Sequence, residues 1–198
     1  MALRASWFCG GKLFDRQRDA ETQVCDITRQ HTAGEAQRRA KDWLDRARKT
    51  APAAQSSAGA RAVRPRVRHG NTLAELEIPR LRMSVVVFEG ADESILRIGA
   101  GHIPGTALPG GRGNVGITAH RDTFFRPLRN IHPNDSIQLT TPAGVAEYVV
   151  TKTEIVRPTE MEVLANAPGR DLTLVTCYPF SFVGRAPERF IVFARRIG

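Results

Sequence analysis

The sequence at residues 172–196 is LTLVTCYPFSFVGRAPERFIVFARR, and its pattern predicts a pair of neighbouring β-strands. LTLVTC is a short apolar run typical of a buried strand. The Tyr-Pro that follows cannot extend a strand in the centre of a sheet, because proline lacks the backbone N–H donor. RFIVFARR has the same β-rich character, and one loop joins the two runs. We therefore expect Cys177 at the mouth of the first strand and Arg189 at the start of the second.

More short strands are predicted upstream of this pair. From Leu73 the chain alternates β-type runs with Gly and Pro, and the runs are LAELEI, MSVVVFEG, NVGITAH, DSIQLTT and AEYVVTKTEIV. In SILRIGAGHI, at residues 94–103, Ile95 and Ile98 recur at helical spacing, which indicates a helix inside this region. Seven or eight strands in about 125 residues are typical of a mainly β barrel or sandwich.

The N-terminal part of the chain has a different composition. Residues 35–49, EAQRRAKDWLDRARK, carry a thin apolar stripe at helical spacing, formed by Ala36, Ala40, Trp43, Leu44 and Ala47. We expect a helix that is mostly exposed or that docks only weakly. The TAPAAQSSAGARAVRPRVRHGN that follows has no periodicity and is typical of a flexible linker. The sequence thus predicts a basic, partly helical and partly disordered arm over residues 1–70 and one folded domain over residues 71–198.

The positive charge of the chain is concentrated in that arm. The net charge is +9, and residues 1–70 hold 15 Lys and Arg against 7 Asp and Glu, whereas residues 71–198 hold 14 against 13. The domain is thus nearly neutral and lacks an aromatic stripe, which argues against a nucleic-acid partner. No apolar run reaches the roughly 18 to 20 residues that span a bilayer, so no anchor or signal segment is visible in this sequence.

The three cysteines, Cys9, Cys25 and Cys177, form no CxxC pair and no Cys/His group at metal-ligand spacing. This pattern argues against a structural zinc site and against a disulfide framework. A bridge between Cys9 and Cys25 stays open as an alternative. We predict neither a metal nor a cofactor.

Three residues could together carry out acyl transfer. Cys177 supplies a thiol, His120 at the end of NVGITAH supplies a proton carrier, and Arg189 supplies a fixed cation for a developing oxyanion. Each residue also has an ordinary interpretation. A single cysteine in an apolar strand is more often packed and inert than nucleophilic, and a histidine at a strand end can be satisfied by backbone.

Two further polar residues are candidates for the same site. Asp122 could orient His120 as the third member of a triad, although its position past a strand end makes direct contact awkward. His102, in GHIPGT, could line the same cleft, although a turn residue held by backbone is the simpler interpretation.

At these positions the sequence resembles the sortase family. The resemblance covers residues 72–197 and rests on LEIPRLRMSVVVFEG, GHIPGTALPGGRGNVGITAHRD, TLVTCYPF and ERFIVFARR. HRDTFF and CYPFSFVG are most similar to class D sortases. The resemblance implies a closed eight-stranded β-barrel with short helices. It also implies that His120, Cys177 and Arg189 match the catalytic three, and that Thr176 matches a position whose hydroxyl assists the oxyanion.

The resemblance also implies an activity. Sortases are cysteine transpeptidases that cleave an LPxTG-like sorting signal after its threonine, form a thioacyl intermediate, and pass it to an amine from a peptidoglycan precursor or a pilin lysine. It further implies protein substrates and a location at the extracytoplasmic face of a bacterial membrane. Two alternatives stay open: a thiol hydrolase in which water resolves the same acyl-enzyme, and an inactive member of the family, against which the three filled positions argue.

Overall fold

The structure, a computed structural model, describes residues 15–50, 67–165, 169–182 and 184–197. Within these residues the chain forms a long helix, α1 (Asp15–Thr50), a short helix, α2 (Glu93–Leu96), and eight strands. The strands are β1 (Thr72–Ile78), β2 (Met83–Glu89), β3 (Ala100–His102), β4 (Gly113–Thr118), β5 (Ser136–Thr141), β6 (Gly144–Val156), β7 (Arg170–Tyr178) and β8 (Glu188–Ile197). Short 3-10 helices lie at Pro79–Leu81, Arg126–Asn130 and Met161–Leu164.

The strands close into a barrel in the order β1-β2-β3-β4-β7-β8-β6-β5. β2 pairs with β3 in parallel and β4 pairs with β7 in parallel, whereas the other neighbours are antiparallel. Closure pairs every strand of the barrel on both sides, so none presents an open edge. The prediction of a mainly β fold with a closed eight-stranded barrel is confirmed.

Side chains alternate between the inside and the outside of this barrel, as the pleat of a strand requires. The inward positions hold the core, which includes Val115, Ile117, Leu172, Leu174, Val192 and Ala194. Each fully buried Val, Leu or Ile stabilises the fold by roughly 1.5–3 kcal/mol. Along β7 and β8 the even-numbered residues therefore face the core, and the odd-numbered residues lie on the outer side of the barrel, where Thr173 and Ile191 are covered by other parts of the chain.

The segment predicted as a helix at residues 94–103 is helical only in its first part. α2 ends at Leu96, and the chain then enters β3, which pairs with β2 and β4. β3 was not predicted, because a strand of three residues is too short to show an alternating pattern.

The N-terminal helix is longer than predicted and docks on the barrel. We placed it over residues 35–49, whereas α1 spans Asp15–Thr50. Leu44 and Ala40 are buried, with 1% and 5% of their surface exposed, whereas Trp43 from the same predicted stripe is 45% exposed. The buried pair packs on Val86, Phe88 and Ile95. The helix thus contacts the barrel through Ala40 and Leu44, and its other side chains over residues 31–50 are partly or fully exposed.

Gln37 ties α1 to the barrel through both ends of its side-chain amide. Its Oε1 accepts a hydrogen bond from the backbone N–H of Val86 at 2.7 Å, and its Nε2 donates to the carbonyl of Ile98 at 2.6 Å. One side chain thus holds α1 against β2 and against the segment that follows α2. Residues 51–66 and Cys9 lie outside the described residues, so the division at residue 70 and the Cys9–Cys25 alternative stay predictions. Neither α1 nor any other described helix is long and apolar enough to cross a membrane.

A buried carboxylate is paired with a partly exposed arginine at the start of β5. Arg80 donates to both carboxylate oxygens of Asp135, with 2.6 Å between Nη2 and Oδ2, and the backbone N–H of His132 donates to Oδ2 at 2.8 Å. The Asp135 side chain is only 7% exposed. The hydrogen bonds from Arg80 hold the pKa of Asp135 below its ordinary value, and the N–H of His132 acts in the same direction.

This pair predicts a pH-dependent loss of stability in acid. A carboxyl whose folded pKa lies below its unfolded value of about 3.9 stabilises the fold above that value and loses the contribution as the pH falls through the folded pKa. Asp135→Asn should therefore lower the free energy of unfolding by about 1–3 kcal/mol at neutral pH, and by progressively less below about pH 4. Urea unfolding of both proteins at pH 7 and pH 3 measures this. A difference of the same size at both pH values would contradict it.

Candidate active site

Cys177 and Arg189 lie directly opposite each other in the antiparallel pairing of β7 with β8. Both occupy odd-numbered positions, so both side chains lie on the outer surface of the barrel. Cys177 is half-buried and its thiol is free. The strand pair predicted from the sequence thus brings the candidate nucleophile and the candidate cation side by side.

His120 follows β4, the other neighbour of β7, and lies at the same height along the sheet as Cys177. The last parallel pair of β4 with β7 is Thr118 with Val175, and the N–H of Ala119 donates to the carbonyl of Val175 at 3.4 Å. His120 lies two positions beyond Thr118, and Cys177 lies two positions beyond Val175 on β7. Because Ala119 is buried in the core, His120 lies on the outer surface together with Cys177.

The three side chains line one cleft of about 340 Å³. The cleft lies between the segment that follows β4 (residues 119–130), which we call the corner, and the loop that joins β7 to β8 (residues 179–187). Its wall also includes Arg121 and Asp122 from the corner and Arg185 from the loop. A thiol, an imidazole and a guanidinium in one cleft are the groups that acyl transfer by a cysteine requires.

The carboxylate that contacts His120 belongs to Glu93, which we did not predict. Glu93 Oε2 lies 3.4 Å from His120 Nε2. The two side chains are 63% and 34% exposed, so this contact adds little to stability. Asp122 lines the cleft, whereas the carboxylate in contact with the imidazole is that of Glu93. No sequence signal pointed to Glu93, because it lies in a separate element, at the start of α2, far from the histidine in the chain.

The Arg189 side chain is held by the backbone that precedes it. Its Nη1 donates to the carbonyl of Glu188 at 2.9 Å and to that of Ala186 at 3.3 Å. These hydrogen bonds restrict the guanidinium before any substrate binds. A cation that is already fixed in position stabilises a developing negative charge with little reorganisation.

Thr176 does not lie in the cleft. It occupies an even-numbered position of β7, is 2% exposed, and its hydroxyl donates to the carbonyl of Ala119 at 2.8 Å. A hydroxyl has one proton to donate, and this one is already used. The predicted place of Thr176 in the substrate-lining wall is therefore corrected: the alternation of the strand turns it inward, where it ties the end of β4 to β7.

His102 is also buried away from the cleft, at the end of β3. Its Nδ1 lies 2.7 Å from Glu89 Oε2, and its Nε2 lies 2.9 Å from the carbonyl of Ala107 and 3.0 Å from the hydroxyl of Thr106. The side chain is 2% exposed. Of the two interpretations of His102, the structure supports a residue held by its own loop and corrects the cleft-lining one.

Comparison with known proteins agrees with this fold. A profile of the sortase domain matches residues 76–197. The chain therefore belongs to the sortase family. It is 33% identical over 129 residues to Sortase D of Bacillus subtilis (strain 168), a match that covers 65% of each protein. It is 30% identical over 128 residues to Sortase A of Streptococcus agalactiae serotype III (strain NEM316), of which it spans only 50%.

Solved structures show the same architecture. A Sortase D5 transpeptidase of Clostridium perfringens superposes with a TM-score of 0.67 at 24% identity, covering 85% of this chain and 99% of that one. Sortase C-1 of Actinomyces oris superposes with a TM-score of 0.60 at 27% identity, covering 65% of this chain and 75% of that one. The barrel described above is thus the sortase barrel.

Proposed function

We propose that this chain is a cysteine transpeptidase that cleaves an LPxTG-like sorting signal and transfers the acyl part to an amine. The observation that carries the proposal is the placement of Cys177, His120 and Arg189 in one cleft, with Cys177 and Arg189 in register on neighbouring strands. Membership of the sortase family supports the same assignment.

In the first half of the reaction the Cys177 thiolate attacks the carbonyl carbon of the threonine in the sorting signal. A carbon–sulfur bond forms, and Arg189 stabilises the charge on the carbonyl oxygen. When this intermediate collapses, the carbon–nitrogen bond breaks and protonated His120 gives its proton to the leaving amine. The products are a thioacyl enzyme, a neutral His120 and the released C-terminal peptide.

In the second half an amine attacks the thioacyl carbon. Neutral His120 takes the proton that the amine loses, and the carbon–sulfur bond breaks to release the Cys177 thiolate. A peptidoglycan precursor or a pilin lysine would supply the amine, at the extracytoplasmic face of a bacterial membrane. If water attacks instead, the same residues make the chain a thiol hydrolase, which is the alternative function.

Thr176 has a different part in this proposal from the one that the resemblance implied. Its hydroxyl bonds the carbonyl of Ala119, the residue before His120, while Cys177 follows Thr176 on the chain. This hydrogen bond fixes the position of His120 relative to Cys177 along the strands. Thr176 therefore acts as a positioning residue, and Arg189 stabilises the oxyanion.

The proposal is tested by incubating the full chain with a fluorogenic LPxTG-type peptide, with and without a primary amine such as triglycine. We expect a thioacyl adduct on the tryptic peptide that holds Cys177, and a new amide product when the amine is present. Mass spectrometry identifies both species. Cleavage that yields only the free acid at every amine concentration would favour the hydrolase. An adduct on another residue would overturn the assignment of the nucleophile.

A further inference from the structure

The loop that joins β7 to β8 is anchored firmly at its two ends. At the start, the rings of Phe180 and Phe190 lie 5.3 Å apart and pack against the core. At the end, the chain enters β8 at Glu188. Between these anchors the described loop residues are largely exposed, and Phe182 keeps 44% of its surface in contact with solvent. The middle of the loop, which forms one wall of the cleft, therefore needs a separate contact to hold it in place.

Arg121 provides that contact from the opposite wall. Its Nη2 donates to the carbonyl of Phe182 at 2.5 Å and to the carbonyl of Gly184 at 3.0 Å. The guanidinium carbon also lies 5.9 Å from the centre of the Phe182 ring, a cation–π geometry. Arg121 directly follows His120, so one side chain connects the corner that carries the histidine to the loop that runs from Cys177 to Arg189.

We propose that Arg121 is a latch that holds the β7–β8 loop in place as one wall of the cleft and so limits the access of water to the thioacyl enzyme. Arg121 is thus a positioning residue, and its effect appears in the choice between amine and water. This inference rests on the proposed function. When this wall is held in place, an amine that binds in the cleft is already oriented for attack, whereas bulk water has reduced access to the thioester.

The latch uses one terminal nitrogen of the guanidinium, Nη2. Arg121 Nη1 is buried and has no hydrogen-bond acceptor among the described residues. A buried donor without an acceptor is unfavourable, so the latch depends on the two hydrogen bonds from Nη2 and on the contact with the Phe182 ring.

The test compares Arg121→Ala with Arg126→Ala, which removes an exposed arginine from the same corner that does not line the cleft. At a fixed amine concentration, the ratio of hydrolysed to aminolysed product should rise at least about threefold in Arg121→Ala and stay unchanged in Arg126→Ala. Arg121→Lys keeps the charge but loses the fork of donors, so its ratio should fall between those of Arg121→Ala and the unaltered protein.

Thiol alkylation gives a readout that is independent of turnover. The rate at Cys177 with a bulky maleimide, divided by that with iodoacetamide, should rise severalfold in Arg121→Ala, because an open loop admits the larger reagent. Mass spectrometry of the tryptic peptides measures the alkylation of Cys177 alone, and thermal melting checks that each variant is folded. If Arg121→Ala and Arg121→Lys are folded and leave both ratios unchanged, the latch is excluded. If the unaltered protein forms no amide at all, the proposed transpeptidation fails, and the alkylation ratio still decides whether the latch exists.

Discussion

Replacing Cys177 with alanine is expected to abolish turnover while leaving the barrel folded. The change removes the sulfur that forms the thioacyl intermediate in the proposed mechanism, so the initial rate with an LPxTG-type peptide should fall by at least about 10³-fold. Cys177 is half-buried on the outer surface and outside the core, so the free energy of unfolding should change by no more than about 1 kcal/mol. Initial rates and a thermal melt measure the two effects.

The other two cysteines provide matched controls. Cys9 and Cys25 precede the barrel, and Cys25 falls within α1. Cys9→Ser and Cys25→Ser should therefore keep full activity. If Cys177→Ala retained more than a few per cent of the rate, a different nucleophile would have to be sought. A loss of activity in either control would give the N-terminal arm a part in catalysis.

The strands and the candidate nucleophile could be predicted because their signals are local. Period-two and apolar runs mark β7 and β8, and the Tyr-Pro after Cys177 ends the first of them. The distance along the chain from Cys177 to Arg189 suits two strands and one loop, and the ladder places these residues opposite each other. The closed barrel itself came from the family resemblance, because periodicity alone did not distinguish a barrel from a sandwich.

The contacts around the site could not be predicted because they are made between elements distant in sequence. Glu93 reaches His120 only because β3 and β4 bring α2 beside the corner. Arg121 meets Phe182 across the cleft, and no spacing rule links the two. Thr176 shows the opposite case: the alternation along LTLVTC already places it on the other face from Cys177, and that signal could have excluded it from the cleft.

Arg189 provides the prediction that separates stabilisation of the transition state from binding of substrate. The guanidinium is fixed by the carbonyls of Glu188 and Ala186 beside Cys177, so it is oriented before the oxyanion forms. From the loss of one oxyanion donor in other enzymes, kcat of Arg189→Ala should fall roughly 10²- to 10³-fold, with little change in KM. Arg189→Lys keeps the charge but not the planar fork, so it should restore only a small part of the rate.

Arg185 is the matched control for this prediction, because it lines the same cleft and is exposed in the middle of the β7–β8 loop. Arg185→Ala should change kcat by far less than Arg189→Ala, since an exposed cation is solvated and does not face Cys177 across the ladder. Both kcat and KM are measured for the three variants on a fluorogenic LPxTG-type peptide with an amine acceptor present. A raised KM with unchanged kcat in both Arg189 variants would make Arg189 a binding residue. A full loss of kcat in Arg185→Ala with a mild effect in the Arg189 variants would assign the stabilisation of the oxyanion to Arg185. It would also mean that the loop moves inward when substrate binds.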